Sequence, residues 1–169
     1  MTTTYNAVSL ATAFAARHGL SDTDKTALHR ALRNMVDSDV LPSEVDEDSG
    51  RAPRIFPVEV AAVGLVLFPL TRMAVDARLL RKVAGYLLSP GFGGVQPISR
   101  ALSAVSEGRQ VELVVTLSSD WQVGFALRVE GEEATGEAAE ILKAGRAANP
   151  PAAEILVPVN LWAAPLLDA

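Results

Sequence analysis

The chain has 169 residues, 49% of them hydrophobic and 21% charged, with a formal net charge of −5 and no cysteine. So much apolar material excludes wholesale disorder, and the length suits one compact domain or two small ones. Without thiols, disulfides, thiolate metal sites and cysteine nucleophiles are all excluded.

The longest apolar stretch, Val60–Leu70, is interrupted by Gly64 and Pro69 and falls well short of the roughly 18 residues a bilayer span needs. The first twenty residues lack the basic start and apolar centre of a signal peptide, so a cytoplasmic protein with no membrane partner is expected. Two histidines, His18 and His29, stand eleven residues apart with no companions for a structural zinc site. Charge is unevenly spread. Residues 1–100 carry 11 Lys and Arg against 10 Asp and Glu, whereas residues 101–169 carry 4 against 10. A near-neutral first part can still present a local basic face.

In chain order, a first helix is expected from Ser9 to His18. Ser9 would cap it, Leu10, Ala13 and Phe14 would share a face, and Gly19 would end it. After a very short turn, Ser21 caps a second helix running over 22–36, with Asp22 and Asp24 favourable in its first turn. Ala27, Leu28, Ala31, Leu32, Met35 and Val36 fall on one side of it. Asp22, Lys25, Thr26, His29, Arg30 and Arg33 fall on the other.

Val40-Leu41-Pro42 has the pattern of a short strand. Ser43 to Pro53 follows as a loop tip containing the acidic run Glu44–Asp48, and Arg54-Ile55-Phe56 returns as a second strand. Pro57 suits the first position of a third helix, apolar on nearly all sides to Leu67 or Phe68, which Pro69 ends or kinks. A fourth helix, Asp76 to Leu88, leaves Arg78, Arg81 and Lys82 outside as solvated cations.

Residues 90–96, with Pro90 and three glycines, mark a linker or sharp reversal. Beyond them a short helix, Pro97–Glu107, precedes two alternating runs, Val111–Leu117 and Trp121–Val129, joined across Ser118-Ser119-Asp120. Gly136–Ala148 has helical composition. Glu154–Leu161 is expected as a third strand, placed at an edge by Pro158.

The order helix, tight turn, basic helix, strand, loop, strand, helix, helix is that of a winged helix-turn-helix. Residues 8–88 resemble the DNA-binding domain of the MerR family of bacterial transcriptional regulators. The resemblance lies in the helix pair over Leu10–Val36, in Val40-Leu41-Pro42 leading into the wing, and in Arg54-Ile55-Phe56-Pro57-Val58-Glu59-Val60 leading out. It implies a recognition helix, 22–36, in the major groove and a wing, 40–56, on the DNA backbone. Phage excisionases and small terminase subunits carry related domains. The chain departs from the family in three ways. A Gly-Pro break replaces the long dimerisation helix, the wing is acidic, and no cysteine is available for metal sensing.

The expected fold is therefore α+β: a winged-helix domain over 1–89, a linker over 90–96, and a small β-β-α-β domain over 97–169 for oligomerisation or partner binding. The expected activity is sequence-specific binding of double-stranded DNA by a transcriptional regulator, with Thr26, His29, Arg30 and Arg33 in the groove. Arginine suits guanine, whose O6 and N7 it meets in two-pronged fashion. Lys25, Arg51 and Arg54 are assigned to phosphates, which fix register and carry no sequence information. For each of these the plain alternative is a solvated surface side chain. A homodimer is expected because one short helix reads few base pairs, and the C-terminal part is a place for another regulatory protein to dock. Two other readings stay open: a phage-type packaging or recombination accessory protein, and an adaptor that binds protein instead of DNA.

Enzyme chemistry has little to stand on. Gly91-Phe92-Gly93-Gly94 lacks the Lys-Ser/Thr of a phosphate loop, Ser118-Ser119-Asp120 is explained as a turn, and Asp46, Glu47 and Asp48 as solvated acids. No catalytic residue, cofactor or metal is assigned.

Overall fold

Asn6, and not Ser9, opens the first helix. In the computed structural model, which describes residues 4–45, 54–91, 94–118, 123–132, 146–147 and 150–167, the Asn6 side chain accepts from the backbone N–H groups of Val8 (3.0 Å) and Ser9 (2.9 Å). Ser9 Oγ accepts from the Asn6 N–H in return (3.0 Å). This reciprocal cap satisfies donors that a helix start leaves orphaned. Helix α1 (Ala7–His18) begins three residues earlier than a Ser9 cap would place it, and buries Leu10, Ala11, Phe14 and Ala15. Gly19, at φ +59°, ends it in the left-handed conformation that costs glycine least. Ser21 then caps α2 (Asp22–Asp37), its Oγ accepting from the Asp24 N–H at 3.2 Å.

Val40 and Leu41 do not form a strand. Both of their N–H groups donate to the Met35 carbonyl, at 2.8 and 3.1 Å, around Asp39 at φ +53°. This wraps the end of α2 and drives both side chains into the core, at 3% and 2% exposure. An apolar pair beside a proline carries the same local pattern whether it pairs with a strand or closes a helix, and here tertiary burial decides.

Strand β2 is confined to Glu44–Val45, and β3 covers Arg54–Pro57. A strand the sequence pattern did not suggest, β1 (Thr4–Asn6), pairs with β3, so the first antiparallel sheet has the order β1-β3-β2. Tyr5 stands opposite Phe56, and Glu44 opposite Ile55.

Helix α3 (Val58–Arg72) is buried from Val60 through Phe68. Pro69 neither ends nor visibly interrupts it. The one backbone bond proline forfeits lies in the last turn, where the Pro69 carbonyl still accepts from Met73 N–H (3.2 Å). Gly64 is the close-approach point: a Cβ there would lie 2.8 Å from Leu32 Cδ2 and 3.0 Å from Leu41 Cδ1. Asp76 caps α4 (Ala77–Leu88) through the Leu79 N–H at 2.8 Å.

At the glycine-rich break, Gly91 N–H donates to the Val95 carbonyl (2.9 Å) and Gly94 N–H to the Gly91 carbonyl (3.0 Å). Pro97 then starts α5 (Pro97–Ser106). The second antiparallel sheet has the order β5-β4-β6, from β4 (Val111–Ser118), β5 (Val123–Val129) and β6 (Pro151–Pro158). The β4–β5 pair matches the sequence pattern, with Leu113 opposite Leu127 and Val115 opposite Phe125.

β6 lies at an edge as Pro158 suggests, but ends there; residues expected to continue it form helix α6 (Val159–Ala163) and a 3₁₀ turn (Ala164–Leu166). Asn160 explains the switch. Its Oδ1 accepts from Val111 N–H (2.6 Å) and its Nδ2 donates to the Arg109 carbonyl (2.7 Å), so a side chain takes over the bonding where β4 begins. The proposed helix over 136–148 lies outside the described residues except for 146–147, which are helical.

The chain is thus α+β, with six helices and two small antiparallel sheets among the described residues. Its buried side chains form one cluster reaching from Tyr5 to Leu166. Trp162 of α6 stacks on Phe14 of α1, ring centres 5.3 Å apart and planes within 1°, and meets Phe68 of α3 edge-on at 5.7 Å. Among the described residues no helix is long and apolar enough to cross a membrane.

Candidate nucleic-acid interface

Helix α2 carries the candidate surface. It buries Leu28, Leu32, Met35 and Val36, and the opposite arc exposes Thr26, Arg30, Arg33, Asn34 and Asp37. The stripe is turned slightly from its expected position: Ala27 and Ala31 are only half-buried, and Lys25 and His29 lie half-buried on the flank. The outward-facing residues of the proposed recognition set are Thr26, Arg30 and Arg33, with His29 and Lys25 beside them.

Three concavities border this arc. The largest, about 590 Å³, lies between α2, the first turn of α1 and β3. His29, Arg33 and Asp37 reach it from α2, Asn6 to Ser9 from α1, and Arg54 from β3. Two smaller hollows, about 390 and 360 Å³, share Arg30. One also takes in Thr26 at the start of α2, and the other lies against Thr71 of α3, Leu80 of α4 and Val75 between them. Arg30 and Arg33 therefore serve different sides of one ridge.

Hydrogen bonding limits what each side chain has left to offer. Thr26 donates its hydroxyl proton to the Asp22 carbonyl (2.8 Å), so only its oxygen lone pairs remain for a ligand. Arg54 Nη1 donates to Ser43 Oγ (3.3 Å) across the base of the hairpin, and among the described residues the rest of its fork makes no other bond. Arg30 and Arg33 have no carboxylate partner among the described residues. Arg81 Nε donates to the Ser38 carbonyl at the end of α2 (3.3 Å), while Arg78 and Lys82 are exposed on α4. Arg51 and the acids Asp46–Asp48 lie outside the described residues.

One residue of this surface escaped the sequence reading. Asp37, four residues after Arg33, lines the same groove. It stands at the C-terminal end of α2, where the helix dipole disfavours a negative charge. The available signal was the i,i+4 spacing from Arg33, lost by ending the helix at Val36. A carboxylate there can accept from a base amino group or from a ligand donor. Together with Asp22 and Asp24 it brings α2 to three acids against Lys25, Arg30 and Arg33. The helix is formally neutral, with its cations gathered in the middle.

The remaining charged groups tie the C-terminal part together. Glu132 receives hydrogen bonds from Arg109 and Arg100, Arg109 first in effect, and both hold its carboxyl below the usual carboxylate range. The same bond raises the Arg109 guanidinium. Arg128 bridges Glu112 (3.1 Å) and Glu154 (3.4 Å) across the second sheet. His18 packs its ring against Phe14 at 4.3 Å. No cluster of three His, Asp or Glu suited to a metal occurs among the described residues.

No family model, curated protein or solved structure matches the chain.

Proposed function

We propose that the protein is a sequence-specific double-stranded DNA-binding transcriptional regulator whose residues 8–88 form a winged helix-turn-helix of the kind seen in the MerR family. The observation that carries this reading is a pair of arginines, Arg30 and Arg33, exposed on the outward arc of α2 and bonded to no carboxylate among the described residues. The sheet order β1-β3-β2 supports it, because it sets a hairpin beside the helix pair α1–α2. Arg54, at the base of that hairpin, shares a groove with Arg33.

In this reading α1 braces α2 through Leu10 and Phe14, and α2 enters the major groove. Arg30 and Arg33 read guanines, and Thr26 and His29 take neighbouring base edges. Lys25, Arg51 and Arg54 hold phosphates. The protein acts as a homodimer on two half-sites, since one short helix specifies few base pairs. The C-terminal part provides the contact with its second copy or with another regulatory protein.

The acids on α2 favour one rival, a protein-binding adaptor in which Asp22, Asp37 and the two arginines form a mixed-charge docking face. Genome-wide DNA occupancy of a tagged protein, run beside an Arg30→Ala/Arg33→Ala double variant, separates the two. Discrete peaks sharing a motif and lost in the variant are expected. A folded, expressed wild type without peaks would overturn the DNA reading.

A further inference from the structure

We propose that the 590 Å³ groove between the start of α1, α2 and β3 binds a small organic carboxylate with an apolar body, and that this ligand competes with DNA for Arg33 and Arg54. The second half of this proposal rests on the DNA-binding reading above; the first half does not.

Size comes first. The groove lies within the roughly 300–1,000 Å³ typical of small-molecule sites. Its lining has two characters. Ala7 and the exposed Val8 give it apolar surface, with Val36 and Phe56 buried behind them at 5% and 1% exposure, while Arg33 and Arg54 bring guanidinium groups from two different elements. A sugar-phosphate backbone has no apolar body to cover that surface. An aryl or alkyl carboxylate satisfies both characters at once.

Val8 adds a second sign of an unfilled contact. It is 58% exposed on the first turn of α1, at the groove, where a polar residue would serve the helix equally well. An arginine fork meets a carboxylate through two parallel charge-assisted hydrogen bonds, a stronger contact than a neutral pair makes.

Charge selects the class of anion. Two arginines, Arg33 and Arg54, against one acid, Asp37, leave the groove one positive charge in excess, which matches a monoanion better than a phosphate dianion. The helix start is not the seat of the anion. The Asn6 side chain already accepts from the Val8 and Ser9 N–H groups, and Ser9 is engaged with the Asn6 backbone. The arginines therefore carry the recognition, and the same two side chains are then withheld from DNA.

The test is a two-dimensional NMR titration of the full chain with 1-naphthoate, followed by DNA binding at rising 1-naphthoate. Saturable shifts at Val8, Val36 and the Arg33 and Arg54 side chains are expected. Affinity should fall about tenfold in Arg33→Ala and in Arg54→Ala, stay unchanged in Arg78→Ala, and vanish for the uncharged 1-naphthalenemethanol. The concentration of operator DNA needed for half-saturation should rise with 1-naphthoate. No saturable shift, or equal losses in Arg33→Ala and Arg78→Ala, overturns the site. Shifts without any DNA binding overturn only the DNA reading, and independent binding of both ligands overturns only the competition.

Discussion

Arg30 and Arg33 are three residues apart on α2 and open onto different grooves, so they are expected to read different bases. Each alanine substitution should cost about 1–3 kcal/mol of operator affinity and relax one position of the site, whereas Lys25→Ala should weaken all sequences alike and lower the salt slope by about one. Equilibrium binding to single-base operator variants at several salt concentrations distinguishes the two behaviours. Tyr5 gives a second expectation at this scale. Its hydroxyl is buried without a hydrogen-bond partner among the described residues, on a side chain only 8% exposed. Tyr5→Phe removes that desolvated group and should raise stability by about 1 kcal/mol, read from urea melts. The basic residues of α2 were legible because an amphipathic period names a polar face directly. Asp37 was not, since its membership of the groove depends on where the helix stops.

At the scale of elements, sequence pattern located helices and the long hairpin well and misjudged their ends. Each miss has a local cause. Asn6 outcompetes Ser9 because β1 pairing with β3 fixes the chain just before α1. Leu41 turns inward against Gly64, and Asn160 replaces strand bonding with side-chain bonding. None of these can be read from periodicity, since each depends on a partner distant in the chain. Gly64 is where this matters most for stability. Alanine there would gain about 1 kcal/mol in helix propensity, but its Cβ would press on Leu32 and Leu41, which are 0% and 2% exposed and have little room to retreat. Overpacking of this kind costs about 1–3 kcal/mol. Gly64→Ala should therefore destabilise by about 1 kcal/mol in urea melts, and a gain would mean the two leucines repack freely.

For the whole molecule, the Gly-Pro break at 90–96 suggests two parts, whereas the buried cluster runs through both. The link is concrete. Trp162 is held by Phe14 and Phe68, which belong to α1 and α3, so the last helix packs on the pair that would present α2 to DNA. Aromatic contacts of this geometry add about 0.5–1.5 kcal/mol beyond the area they bury. Because the contact joins the two parts, its loss should be felt by both. Trp162→Ala should lower the stability of the entire chain by about 2–3 kcal/mol, below the full cost of a buried tryptophan because the ring is half-buried. In the wild type, far-UV circular dichroism and tryptophan fluorescence should report one coincident urea transition, shifted as a unit in the variant. Two separate transitions, with only the later part affected, would instead mean that residues 1–89 fold alone and that the C-terminal part does not influence the placement of α2.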